Sequence, residues 1–195
     1  MRSKFKIDYR GKMFEVISWE GKPGIRYEAV ARSPGVRLII ETEKDGVKAL
    51  LMLREFRQEV DGYDFRLPGG KIFDSLKELD EHRGSKEGIA NAAQKAAEKE
   101  GLEEAGITQG EYTPLDISRA GATIDWDLHY FKVNNAKIGK QQLEETEQGD
   151  IETVILSAKE IFNKLINREI KEGRSADMIW SWLQKNGFLR FADKP

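Results

Sequence analysis

Between Ser85 and Gly106 the chain is rich in Ala, Glu and Lys, and its apolar positions Ile89, Ala92, Ala93, Ala96 and Ala97 recur at helical spacing. A stripe built of such small side chains lets a helix lie close against a sheet, which points to a mixed architecture of helices on strands. Ser85 is placed to cap the start of this helix and Gly106 to end it. Towards its end Glu98, Glu100, Glu103 and Glu104 crowd together, and Glu100, Glu103 and Glu104 share a face through i, i+3 and i+4 spacing. Like charges so placed cost roughly 0.2 to 0.5 kcal/mol per pair, and anions in a last helical turn oppose the macrodipole. Stability alone does not favour the arrangement. A hard divalent cation reverses the sign, because Mg²⁺ takes carboxylate oxygens, keeps several waters and completes its shell with substrate phosphate.

Upstream, residues 13–18 and 26–31 read as a hairpin across Gly21, Pro23 and Gly24, and residues 36–42 and 47–53 as two strands joined through Asp45-Gly46. The sheet pattern then breaks at Leu67-Pro68-Gly69-Gly70-Lys71, where paired glycines allow backbone to approach another group closely. Residues 75–82 read as a charged surface helical turn. Beyond the long helix, residues 115–118, 128–133 and 151–156 read as strands, with 139–150 a polar loop. Ser157 and Glu160 form a capping-box pattern, and Ser175 is placed to cap a last helix that runs to Gly187. On that helix Trp180 and Trp182 read as packing residues, as does His129 within its strand.

With 32 Lys plus Arg against 34 Asp plus Glu, the net charge of -2 supplies no global basic field for a nucleic acid backbone. Zero cysteines exclude disulfides, thiolate zinc sites and a cysteine nucleophile, and two histidines leave little for a histidine metal site. No apolar run is long enough for a membrane span or the core of a signal peptide, so a cytoplasmic protein is expected.

Leu67-Pro68-Gly69-Gly70-Lys71, taken with Ala96-Ala97-Glu98-Lys99-Glu100-Gly101-Leu102-Glu103-Glu104-Ala105-Gly106-Ile107, resembles the signature of the Nudix hydrolase superfamily. Leu51-Met52-Leu53-Arg54-Glu55-Phe56-Arg57 and Gly149-Asp150-Ile151-Glu152-Thr153-Val154 resemble its ADP-ribose pyrophosphatase branch, and the likeness runs from about Tyr27 to Trp182. The resemblance implies an α+β fold, a Nudix-type α/β/α sandwich with a mixed sheet and an N-terminal β-hairpin extension. It divides the chain into an extension over 1–34, which exchanges across a homodimer in that branch, and a hydrolase domain over 35–195 with an insertion near 72–87. It implies Mg²⁺-dependent hydrolysis, with Mn²⁺ as a substitute, of ADP-ribose or a related nucleoside diphosphate sugar to a nucleoside monophosphate and a sugar phosphate.

By the same resemblance Glu100, Glu103 and Glu104 match metal ligands, joined by the Gly69 carbonyl, with Glu104 also counted as catalytic. The loop before the last strand offers Glu144, Glu145 and Glu147 as general base, and counting back from Asp150-Ile151 favours Glu147. Arg57 matches a phosphate-binding arginine, a role suited to a guanidinium fork, and Arg54, Gly70 and Trp19 complete the expected substrate contacts. Several positions depart from the pattern. Lys99 replaces an arginine, Asn91 a glutamate and Ser85 a glycine, Arg66 stands where glutamate is usual, and Ser118-Arg119-Ala120-Gly121 replaces a Ser-Pro-Gly turn. The insertion is either a rim over the substrate or a surface loop. A hydrolase of another nucleotide, and a binding module of the same fold without turnover, stay open as alternatives.

Overall fold

The computed structural model describes residues 5–121, 123–143, 145 and 149–189. Two mixed sheets form its frame. In the first, β1 (Lys6–Arg10), β2 (Phe14–Lys22) and β3 (Ile25–Arg32) run antiparallel, and the short β8 (Ile124–Asp125) adds to β3 in parallel. In the second the order is β10 (Ile151–Ser157), β5 (Val47–Arg57), β4 (Gly35–Lys44), β9 (Asp127–Ile138), β7 (Ile107–Arg119), and β6 (Gly62–Arg66) pairs with β5.

The expected hairpin is present, with Trp19 opposite Tyr27, and so is the Asp45-Gly46 turn, where both residues take positive φ (53° and 75°). Helix α2 (Ile89–Ala105) lies on one face of the larger sheet through Ala93, Ala96 and Ala97, against Leu38, Ile40 and Phe131. Helices α3 (Ala158–Ile166) and α4 (Gly173–Lys185) cover the other face through Ile161, Leu165, Ile179 and Leu183. The result is an α/β/α sandwich, and a main-chain alternation along β4 divides Leu38 and Ile40 from Ile39 between the two cores.

Several expectations need correction. Helix α2 starts at Ile89 behind Gly88, with no side-chain cap. The Ser85 hydroxyl instead accepts from the Glu87 amide at 3.1 Å, which closes a local turn before the helix. Helix α4 is capped by Glu172, whose carboxylate accepts from the Arg174 and Ser175 amides, while Ser175 sits buried inside the first turn. Residues 75–82 form a true helix, α1 (Leu76–Arg83), because Leu76 and Leu79 are fully buried and Ser75 accepts from the Glu78 amide. The capping box of α3, Ser157 with Glu160, and the left-handed Gly106 that ends α2 stand as expected.

The segment 72–87 docks on the N-terminal strands and their connections. The Leu76 amide donates to the Lys12 carbonyl at 2.9 Å, Ser33 Oγ donates to the Phe73 carbonyl at 3.1 Å, and Arg10 pairs with Asp80.

Candidate active site

The glycine loop after β6 is threaded against β4. The Leu38 amide donates to the Pro68 carbonyl at 2.8 Å and the Val36 amide to the Gly70 carbonyl at 2.9 Å. The approach is so close that a Cβ on Gly69 (φ 140°) would lie 2.3 Å from the Val36 carbonyl oxygen. Helix α2 brings two of its glutamates to this loop. Glu104 Oε2 accepts from the Gly69 amide at 2.7 Å, and the Glu100 carboxylate lies where a Cβ on Gly70 would stand, 2.1 Å from its Oε1. Glu103, a turn away, faces Lys99 at 3.4 Å on a more open surface. The end of the helix is held by the chain after β9, where Gln141 Nε2 donates to the Glu104 carbonyl and the Gln142 amide to that of Glu103.

A cleft of about 260 Å³ opens beside this carboxylate pair. Arg32, Arg37, Arg57, Arg66 and Lys71 line it, against two carboxylates, Glu55 and Glu104. Strand alternation on β5 turns Leu53, Glu55 and Arg57 to the cleft. Arg57 is gripped on two sides, its NH1 donating to Glu55 and its Nε to Glu59, each at 2.7 Å. Arg54 belongs to the other face of β5: it pairs with Glu152 at 2.8 Å, lies 3.4 Å over the Tyr63 ring, and lines no part of the cleft.

Arg37, which the sequence reading passed over, is the most deeply buried of the cations, with 7% exposure. Its NH1 donates to the carbonyls of Val36 at 2.9 Å and Gly69 at 2.8 Å. Gly69 therefore joins Arg37 to Glu104, accepting from one and donating to the other. Burial pushes the Glu104 carboxyl up to about 8; the neighbouring Glu100 charge adds to the rise, while the Gly69 amide and Arg37 oppose it.

Next to this cleft is a larger cavity of about 740 Å³ with Phe5, Ile17, Trp19 and Arg83 in its lining, and Trp126 lines both. Trp19 stacks on Tyr27 (5.6 Å between centroids, 16° between planes) and meets Phe5 edge-on. Two guanidinium groups rest on the Trp126 ring, Arg32 at 4.2 Å and Arg174 at 4.0 Å.

Glu145 is exposed, and Glu144 and Glu147 lie outside the described residues. His129 is buried in β9, Trp182 donates to Glu41 at 2.9 Å, and Trp180 packs edge-on to Phe162, as packing residues do. Asn91 is exposed.

Among the described residues no three Asp, Glu, His or Cys side chains stand close enough to enclose a metal ion. Glu100 and Glu104 nevertheless fit one that arrives with phosphate, because Mg²⁺ needs only one or two carboxylates and fills the remaining positions with water and phosphate oxygens. The Gly69 carbonyl, with one lone pair given to Arg37, keeps a second.

Among solved structures the chain resembles a crystal structure of an ADP compounds hydrolase, with a TM-score of 0.60 at 18% identity, over 96% of this chain and 95% of that one. No family model matches the chain, and no curated protein matches it in sequence. The likeness is one of fold: an α/β/α sandwich with mixed sheets, matching a Nudix-like architecture.

Proposed function

We propose that the protein is a divalent-cation-dependent hydrolase of the pyrophosphate bond in ADP-ribose or a related nucleoside diphosphate sugar, releasing a nucleoside monophosphate and a sugar phosphate. One observation carries this reading: a cation-lined cleft with Glu104 in its wall opens, at Trp126, onto an aromatic-lined cavity. A charged diphosphate suits the first space and a nucleoside the second. The solved neighbour, an ADP compounds hydrolase, agrees with that substrate class.

Glu100 and Glu104 are the residues that would hold Mg²⁺ or Mn²⁺, with Glu103 near them. When bound, such a cation neutralises phosphate charge and favours ionisation of a water. Arg57, fixed by Glu55 and Glu59, presents its guanidinium to phosphate oxygens, and Gly70 lets the ligand pass close to the backbone. Trp19, in the lining of the larger cavity, offers its ring to the base, while Trp126, covered by Arg32 and Arg174, stands where the two spaces join. Glu145 or Glu147 takes the proton from the attacking water, with Glu147 preferred. Arg54 enters only as a tie between β5 and β10, through its pair with Glu152.

The N-terminal extension, residues 1–34, is proposed as a dimerisation lobe. Tyr9, Phe14, Val30 and Ile124 are exposed, and strand register puts them on one face of the smaller sheet. No described helix is long and apolar enough to cross a membrane.

Purified protein incubated with Mg²⁺ and a panel of nucleoside diphosphate sugars is expected to release a monophosphate from at least one member, and Glu104→Gln to cut that rate roughly 10³-fold. The exposed Lys99, which holds no glutamate of the cleft, favours the second reading, a ligand sensor without turnover. For a sensor, Glu104→Gln leaves metal-free affinity unchanged and no product forms.

A further inference from the structure

The cations of the cleft are of two kinds. Arg57 and Arg66 are matched by carboxylates: Glu55 and Glu59 hold Arg57, and Glu55, Asp64 and Glu59 stand within 4 Å of Arg66. Arg37 has no such direct partner, although the charges of Glu104 and Glu172 act on it from a distance. Among the described residues no Asp or Glu makes an ion pair with it, its NH1 is spent on two carbonyls, and its Nε is buried without an acceptor. Arg32, at the end of β3, also has a buried Nε without an acceptor while its guanidinium rests on Trp126.

Arginine does not escape such a position by losing its proton, so a buried unpaired guanidinium is an unfavourable element of the free protein. An anion entering the cleft removes that cost by accepting from both side chains. We infer that Arg37 and Arg32 form an anion subsite, distinct from Arg57, that holds one phosphoryl group of a diphosphate and does so without a metal ion. The ligand class rests on the hydrolase reading, and the subsite deepens it: a phosphoryl group on Arg37 stands one residue's backbone, that of Gly69, from Glu104. The second phosphoryl group falls to Arg57 and Arg66. Orthophosphate engages only one of the two arginine pairs, so the site selects condensed phosphate.

The test is calorimetric titration in EDTA with inorganic pyrophosphate and with orthophosphate, which keeps it independent of turnover and of metal. Wild-type protein is expected to bind pyrophosphate more tightly than orthophosphate. Arg37→Met is expected to weaken pyrophosphate roughly 10- to 100-fold, the range for charge-assisted hydrogen bonds, and to erase the preference. Its melting temperature without ligand is expected to equal or exceed that of wild type, since an unpaired buried charge is gone. Arg37→Lys keeps the charge and loses the fork, so it recovers only part of the affinity. Should Arg37→Met fail to fold, Arg32→Met carries the same expectation for pyrophosphate.

Wild-type affinity for pyrophosphate in the folded variants overturns the subsite, as does absence of metal-free binding to wild type. A fall in melting temperature with pyrophosphate preference intact assigns Arg37 to loop support alone and also overturns it. Absence of hydrolysis by wild-type protein with Mg²⁺ across the nucleotide-sugar panel, with this binding present, would sink the hydrolase reading and leave the subsite standing.

Discussion

Gly69 and Gly70 do different jobs, and two substitutions separate them. At Gly69 a side chain meets β4 backbone with φ at 140°, so Gly69→Ala carries strain of about 1–3 kcal/mol before any collision with Val36. A clear fall in melting temperature is expected. At Gly70 a Cβ meets only the end of the Glu100 side chain, which can turn aside. Gly70→Ala is therefore expected to melt as wild type while turnover falls roughly 10²-fold, because a carboxylate of the site is moved by about an ångström or more.

Glu104 gives a pH signature. Its carboxyl is raised by burial from 4.5 to about 8 in the folded, metal-free protein, so the folded state holds the proton more tightly than the unfolded chain. The contribution to stability is whole below 4.5 and is lost as pH rises through 8. Melting temperature in EDTA is expected to decline across that window, and Glu104→Gln to flatten the decline.

The glutamate cluster was legible because helical spacing alone puts Glu100 and Glu104 on one face. Arg37, Arg32 and Trp126 were not, since they meet only when β3, β4 and the start of β9 assemble. One signal did exist: Arg37 interrupts the apolar run Val36-Arg37-Leu38-Ile39-Ile40, and a lone cation in a central strand is a buried charge in search of an anion.

At the scale of elements, long periodic segments were readable and polar or interrupted strands were not. Strand β1, Lys6-Ile7-Asp8-Tyr9-Arg10, has only two apolar residues between charges and is exposed throughout, so no buried face marks it. Strand β7 extends from 107 to 119 although Gly110 and Pro114 interrupt it. It is an edge strand whose register slips at Pro114, so the missing donor leaves no central ladder bond broken. Two element-scale outcomes follow from packing and capping. Ala97→Leu adds volume between α2 and the sheet, where Ala97 is fully buried, and is expected to cost about 1–3 kcal/mol by denaturant titration. Glu160 closes the capping box of α3 and pairs with Lys44 at 2.7 Å; the hydrogen bonds from Lys44 and Ser157 hold its carboxyl down at about 2. That contribution is present above 4.5 and fades as pH falls towards 2, and Glu160→Ala is expected to cost about 1 kcal/mol at neutral pH and nothing in acid.

In the whole molecule, the sandwich puts α2 on one side of the larger sheet and lets the loop after β6 meet its last turns, while the smaller sheet supplies the aromatic wall beside the cleft. The resemblance carried by the glycine loop and the glutamate helix implied that sandwich. It carried no information on the docking of the segment 72–87 against β1, which depends on contacts such as Arg10 with Asp80 between distant parts of the chain. If the exposed face of the smaller sheet joins two copies, light scattering gives twice the chain mass of 22.3 kDa, and Val30→Glu returns it to one.

The proposed reaction is hydrolysis at phosphorus. It is tested most directly by incubating protein and Mg²⁺ with ADP-ribose and other nucleoside diphosphate sugars in ¹⁸O-labelled water, then weighing the products by mass spectrometry. Cleavage of at least one member is expected, with a single ¹⁸O in one of its two phosphate products and none in Glu104→Gln. Intact substrates across the panel, or products whose phosphates carry no label, would contradict it.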